Sequence, residues 1–200
     1  MNAGLPSLRT IMPLDFDTRH TVKTEFDFHY RTGKDYDGPI VNGKKILEKA
    51  GINIIFTAYS GHPFTERITP TPEAQSGVVS RAQIRGSING SNLPPQYNMD
   101  LTADKIFDFS HKNIDGSQTR YALRVFLWVQ NLFNVANVLG VYSYTGSAYN
   151  DGYLNSPYAQ SQINAATSAQ SFIDLYNVRM VNPDRFALPR LTRIGVSLQF

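Results

Sequence analysis

The sequence predicts an all-β protein: an antiparallel transmembrane β-barrel segment of about five long strands, an incomplete barrel with two long loops. Three observations carry that expectation. Apolar and polar residues alternate with period two over long runs. Each run is near or above the about 9–11 residues with which a tilted strand crosses a bilayer. The longer segments between the runs are polar but poor in charge.

Composition agrees. The 200 residues are 42% hydrophobic and 12% aromatic, too apolar for a disordered chain. Only 18% are charged, below the roughly 25% of an average soluble domain, yet mean hydropathy stays at -0.29 because Asn, Ser, Thr and Gln fill the difference. The net charge of +3 comes from 19 basic and 16 acidic residues that are interleaved, so no basic patch points to nucleic acid. The absence of cysteine removes disulfides, thiolate metal sites and cysteine nucleophiles.

The first strand spans 18–31, where His20, Val22, Thr24, Phe26, Phe28 and Tyr30 alternate with Arg19, Thr21, Lys23, Glu25, Asp27, His29 and Arg31. The second covers Ile52 to Tyr59 and ends in the breaker cluster Ser60-Gly61-His62-Pro63. From Pro70 to Pro95 the chain reads as a long loop, with a short strand extension near Val78 to Ile84.

The third strand sets Tyr97, Met99, Leu101, Ala103, Phe107 and Phe109 on one face and Asn98, Asp100, Thr102, Asp104 and Asp108 on the other. Lys105 alone breaks the apolar face. Asp115-Gly116 marks a tight reversal into the fourth strand, Thr119 to Phe133, with Tyr121, Leu123, Val125, Leu127 and Val129 opposite Arg120, Arg124, Trp128 and Gln130. A transmembrane helix over the uncharged run 125–150 is the rival. It would leave Gln130, Asn131, Asn134 and Asn137 seeking partners in hydrocarbon. The segment 141–178 is a second long loop with no Lys or Arg and six tyrosines, and the last strand runs from Arg190 to Phe200.

On this reading Phe26, Phe28, Met99, Leu101, Leu123, Val125, Leu127, Ile194, Val196 and Leu198 face lipid. Lys23, Glu25, Asp27, Asp100, Asp104, Arg124 and Arg193 face a polar interior, and Tyr30, Tyr97, Tyr121 and Phe200 form interfacial girdles. A soluble β-sandwich would claim the same apolar residues for its core, but would use shorter strands.

Several stretches together resemble a family. They are Pro13-Leu14-Asp15-Phe16-Asp17-Thr18-Arg19-His20, Ser60-Gly61-His62-Pro63-Phe64-Thr65, Leu93-Pro94-Pro95-Gln96-Tyr97, Asn131-Leu132-Phe133-Asn134, and the ending from Leu188-Pro189-Arg190 to Phe200. In this order and spacing they resemble the TonB-dependent outer-membrane receptors, particularly those with a carboxypeptidase-regulatory-like amino-terminal domain. The resemblance covers nearly the whole chain.

What the resemblance implies is specific. Such receptors close a barrel of about 22 strands around a plug and import scarce ligands, such as a siderophore, cobalamin, a glycan or a peptide, with energy from the TonB system. Residues 1–200 would be the last strands of that barrel, a carboxyl-terminal fragment in the cell outer membrane without plug, TonB box or signal peptide. Ile194, Val196, Leu198 and Phe200 would form the barrel-assembly signal. The carboxyl end would be periplasmic, with turns at 32–49 and 110–118 on that side and the loops 66–93 and 141–187 outside. The expected partners are outer-membrane lipid, the rest of the barrel and plug, the TonB system through the plug, and the barrel-assembly machinery, with no nucleic acid.

Other chemistry finds little support. His20, His29, His62 and His111 lack ligand spacing, and Asp35, Asp37 and Gly38 begin a calcium-like loop that Pro39 and Ile40 spoil. No phosphate loop, nucleophile elbow or zinc-protease signature occurs, so neither an enzyme nor a cofactor or metal is expected. Tyr142, Tyr144, Tyr149, Tyr153 and Tyr158 are the candidate ligand-contacting residues, because tyrosine offers a large contact area and a polar tip at modest entropic cost. The alternative functions are a passive or multichain outer-membrane pore and a soluble β-sandwich module for carbohydrate binding or adhesion.

Overall fold

The computed structural model describes residues 11–77, 83–112 and 117–200. These fall into two compact units. One, the sheet unit, comprises residues 21–58, 97–136 and 188–200; the other, the loop unit, comprises the described parts of 1–20, 59–96 and 137–187.

The principal sheet has five strands in sequential order: β1 (Thr21–His29), β2 (Ala50–Tyr59), β3 (Gln96–Lys112), β4 (Gln118–Gln130) and β5 (Leu191–Gln199). It is mostly antiparallel and open, with β1 and β5 at its edges. Leu101 lies opposite Val129 in the β3–β4 pair, and Leu123 opposite Leu198 in the β4–β5 pair. The period-two alternation therefore specified the strands correctly, because one register step would have turned every side chain to the wrong face.

The strand ends differ from expectation. β3 runs on to Lys112, and the reversal at Asp115-Gly116 lies outside the described residues. β4 stops at Gln130 and not at Phe133, since Asn131 (φ 52°) and Asn134 (φ 54°) take the left-handed conformation that asparagine tolerates. Asn131 fixes this exit. Its side chain accepts from the Val135 amide at 2.9 Å and donates to the Val135 and Leu188 carbonyls at 3.0 and 3.1 Å. No helix occurs over 125–150, and no described helix is long and apolar enough to cross a membrane.

Between β1 and β2, residues 32–49 hold a 3-10 turn, Gly33–Asp35, and a two-residue ladder pairing Ile40–Val41 with Lys44–Lys45. Asn42 (φ 50°) and Gly43 (φ 74°) make the turn, a residue pair suited to two successive positive φ angles.

The loop unit corrects the reading of 141–178 as a plain loop. It contains a 3-10 turn, Tyr153–Asn155, and two helices, α1 (Pro157–Ala165) and α2 (Ala169–Met180). Ser156 caps α1 by accepting from the Ala159 amide, with Pro157 in the first turn, and Ser168 caps α2 through the Ser171 amide. The segment 66–93 carries a single helical turn, Glu73–Ser76. It is flanked by a ladder of Pro63–Phe64 with Ser91–Asn92 and by a bridge between Arg67 and Ile84. Residues 78–82 of the expected strand extension lie outside the described residues.

Candidate functional site

The register gives the sheet two unlike faces. Leu101, Ala103, Lys105, Phe107 and Phe109 lie opposite Val129, Leu127, Val125, Leu123 and Tyr121. Three of those β4 apolar positions continue onto β5, where Leu127, Val125 and Leu123 meet Ile194, Val196 and Leu198. Apolar residues thus line up across three strands, and on β1 the same alternation presents Val22, Phe26 and Phe28. This face is open: Ile194 is 76% exposed and Phe200 94%, and Val196, Leu198, Phe107, Phe109, Val22 and Phe26 are exposed too. All four residues of the expected assembly signal thus lie at the surface of the sheet unit or near its carboxyl end.

The other face is polar and tied across strands. Asn53 of β2 donates to Glu25 and Asp27 of β1, at 2.9 and 3.4 Å. Asp104 of β3 accepts from the Arg124 Nε at 3.1 Å and lies 3.9 Å from the His29 ring. His29 reaches across β2 because Gly51 lies beneath it: a Cβ at Gly51 would come within 2.0 Å of the imidazole. Gly195 plays the same part on β5, where a Cβ would fall 2.1 Å from the ring of its cross-strand partner Phe126. Arg193 adds a cation–π contact with Trp128, its own partner, at 4.9 Å.

The loop unit builds its core from tyrosines and two buried acids. Tyr153, Ala159, Tyr176 and Met180 form one cluster, with Tyr153 and Tyr176 stacked at 5.2 Å. Buried Asp151 accepts from the amides of Tyr153 and Ala74, at 2.9 and 3.1 Å, and from the Tyr176 hydroxyl at 2.5 Å. Glu73, also buried, accepts from the Ser143 amide and hydroxyl at 3.0 and 2.8 Å, and from Arg185 at 3.4 Å. The Arg185 guanidinium in turn stacks 3.6 Å from the Tyr142 ring centroid. These carboxylates hold distant chain segments together, since a buried acid is tolerable only when its acceptors are filled.

Burial raises the Tyr142, Tyr153 and Tyr176 phenols above the ordinary tyrosine value, and for Tyr176 the hydrogen bond to Asp151 raises it further. All three stay neutral over the physiological range.

The five candidate ligand-contacting tyrosines thus divide. Tyr142 (1% exposed) and Tyr153 (2%) are core residues, Tyr144 is half-buried, and Tyr149 (63%) and Tyr158 (65%) face outward. Tyr149 leans on Phe186 at 5.2 Å, and Tyr158 on Tyr153 at 6.2 Å. The buried acids Glu73 and Asp151 were not foreseen, because their partners come from up to 112 residues away. No family model, curated protein or solved structure matches the chain.

Proposed function

We propose that the chain is the carboxyl-terminal barrel segment of a TonB-dependent outer-membrane receptor, part of an importer for a scarce ligand. The observation that carries this reading is the apolar sheet face, in register over β3, β4 and β5, half-buried on β4 and exposed on β5 and at Phe107 and Phe109 of β3. In water an apolar surface of this extent calls for a cover. A β-sandwich would supply one from a second sheet, whereas the only other ladder described in the sheet unit is the two-residue pair at 40–45. A bilayer covers such a face directly, and the opposite face, with its cross-strand ion pairs and amides, suits a polar lumen.

The two open edges, β1 and β5, call for further strands, because unpaired N–H and C=O groups are costly in hydrocarbon. In an importer those strands come from the rest of the same barrel. In a multichain pore they come from other copies, and the open edges favour that second reading equally. On either reading Tyr149 and Tyr158 are the candidate ligand contacts.

Fractionation of the native host, followed by intact-mass measurement of the polypeptide that contains this sequence, tests the proposal. The expected result is an outer-membrane protein whose mass is well above 22.4 kDa. A 22.4 kDa chain forming a defined oligomer in detergent selects the multichain pore. A soluble monomer without detergent overturns both.

A further inference from the structure

We propose that the sheet unit carries a binding site for an anionic phospholipid of the surrounding bilayer, with the acyl chain on the apolar face and the phosphate against a lysine cluster. The site rests on the membrane reading above and adds a specific ligand to it.

The apolar face is hollowed where the 32–49 connection enters β2, forming a groove of about 580 Å³. Ala50 and Ala103, whose side chains end at Cβ, leave room between the larger Phe28, Phe107, Leu127 and Ile194. A polar pocket of about 320 Å³ adjoins it, lined by Lys45, Lys49, Lys105, Glu48 and Asp108 among others. Lys105 and Phe107 line both, so groove and pocket are continuous.

The lysines explain the pocket's chemistry. By strand parity Lys105 belongs to the apolar face, where a cation in hydrocarbon is expensive. Its ammonium donates to the Ile46 carbonyl and lies 5.0 Å from the Phe107 ring centroid, directed to the 32–49 connection. Lys45 likewise donates to a carbonyl, that of Gly33, and lies 5.7 Å from the Tyr36 ring centroid. Lys49 is neutralised by Asp108, whereas Lys45 and Lys105 have no ion-pair partner among the described residues. Three lysines against two acids leave the pocket lining with a positive balance.

An apolar groove that runs into a lining of net positive charge matches a molecule in which hydrocarbon is joined to phosphate. Free phosphate would use the pocket alone, and a zwitterionic lipid would bring its own cation against the lysines. An anionic phospholipid satisfies both parts.

The test is native mass spectrometry of the full protein purified in mild detergent, titrated with phosphatidylglycerol, phosphatidylcholine and inorganic phosphate. Phosphatidylglycerol should be retained preferentially. Lys105→Met, which removes the cation, and Ala103→Trp, which fills the groove, should each weaken its retention about tenfold, while circular dichroism shows the strand signal unchanged. Equal retention of the two lipids, displacement of phosphatidylglycerol by phosphate alone, or wild-type retention by both folded variants overturns the site. A protein that floats with vesicles yet shows any of these results loses only the lipid site. A protein that stays monomeric in buffer and does not float loses the membrane reading as well.

Discussion

The two units handle their apolar residues in opposite ways. The loop unit draws Tyr142, Tyr153, Tyr176, Ala159 and Met180 inside and satisfies the polar groups that go with them. The sheet unit turns Ile194, Val196, Leu198, Phe107 and Phe26 outward, and places its ion pairs on the other face. A core of the first kind is stabilised by excluding water. A face of the second kind contributes to stability only when something apolar covers it, so the same residue types carry different information in the two units.

The largest effect should come from opening the loop unit's core. Tyr153→Ala should cost the loop unit about 3–5 kcal/mol, in line with deletion of a buried aromatic side chain. Hydrogen exchange over residues 137–187 reads that loss. Ile194→Ala in detergent should cost about 0.5 kcal/mol or less, as an open surface position does. A comparable loss at both sites would erase the contrast.

Next comes a charge on the apolar face. Leu127→Arg should destabilise the vesicle-inserted protein by about 2–4 kcal/mol, measured by denaturant titration, whereas Ser197→Glu on the polar face, opposite Arg124, should be nearly neutral. Equal costs would mean that the two faces meet the same surroundings.

Gly195→Ala sharpens the polar face itself. The added methyl meets the Phe126 ring and should cost about 1–3 kcal/mol through overpacking. A second substitution, Phe126→Ala, should remove most of that penalty in a double-mutant cycle.

The smallest effect is set by pH and should be confined to the loop unit. Because the Tyr176 phenol is raised above its ordinary value, the unfolded chain ionises first, from about pH 10 upward. Its contribution is complete below that pH and is lost as pH climbs towards the folded value, by about 1.4 kcal/mol for each pH unit. The part of the tyrosinate absorbance that Tyr176→Phe removes should appear together with loop-unit unfolding, and the substitution should reduce the alkaline sensitivity.

Much of the sheet was legible in sequence, since a strand's two faces are written in adjacent residues and the five strands pair in chain order. The residue pair Asn42-Gly43 is itself an ordinary hairpin-turn signal. The helices of 157–180 were harder. Their caps, Ser156-Pro157 and Ser168, are ordinary signals, but few apolar residues follow at helical spacing, and a run of small polar residues reads as loop. The tyrosines looked alike in sequence, and burial alone separated Tyr142 and Tyr153 from Tyr149 and Tyr158.

The strands, their faces and the polarity of each are written in local period and steric preference, so neighbouring residues suffice to read them. Burial and long-range contact alone reveal which tyrosines form a core, that Glu73 and Asp151 hold distant segments together, and that Lys105 lies where an apolar groove meets a cationic pocket. Those features depend on residues far apart in the chain whose pairing is selected by burial and hydrogen-bond satisfaction, and no local pattern encodes that selection.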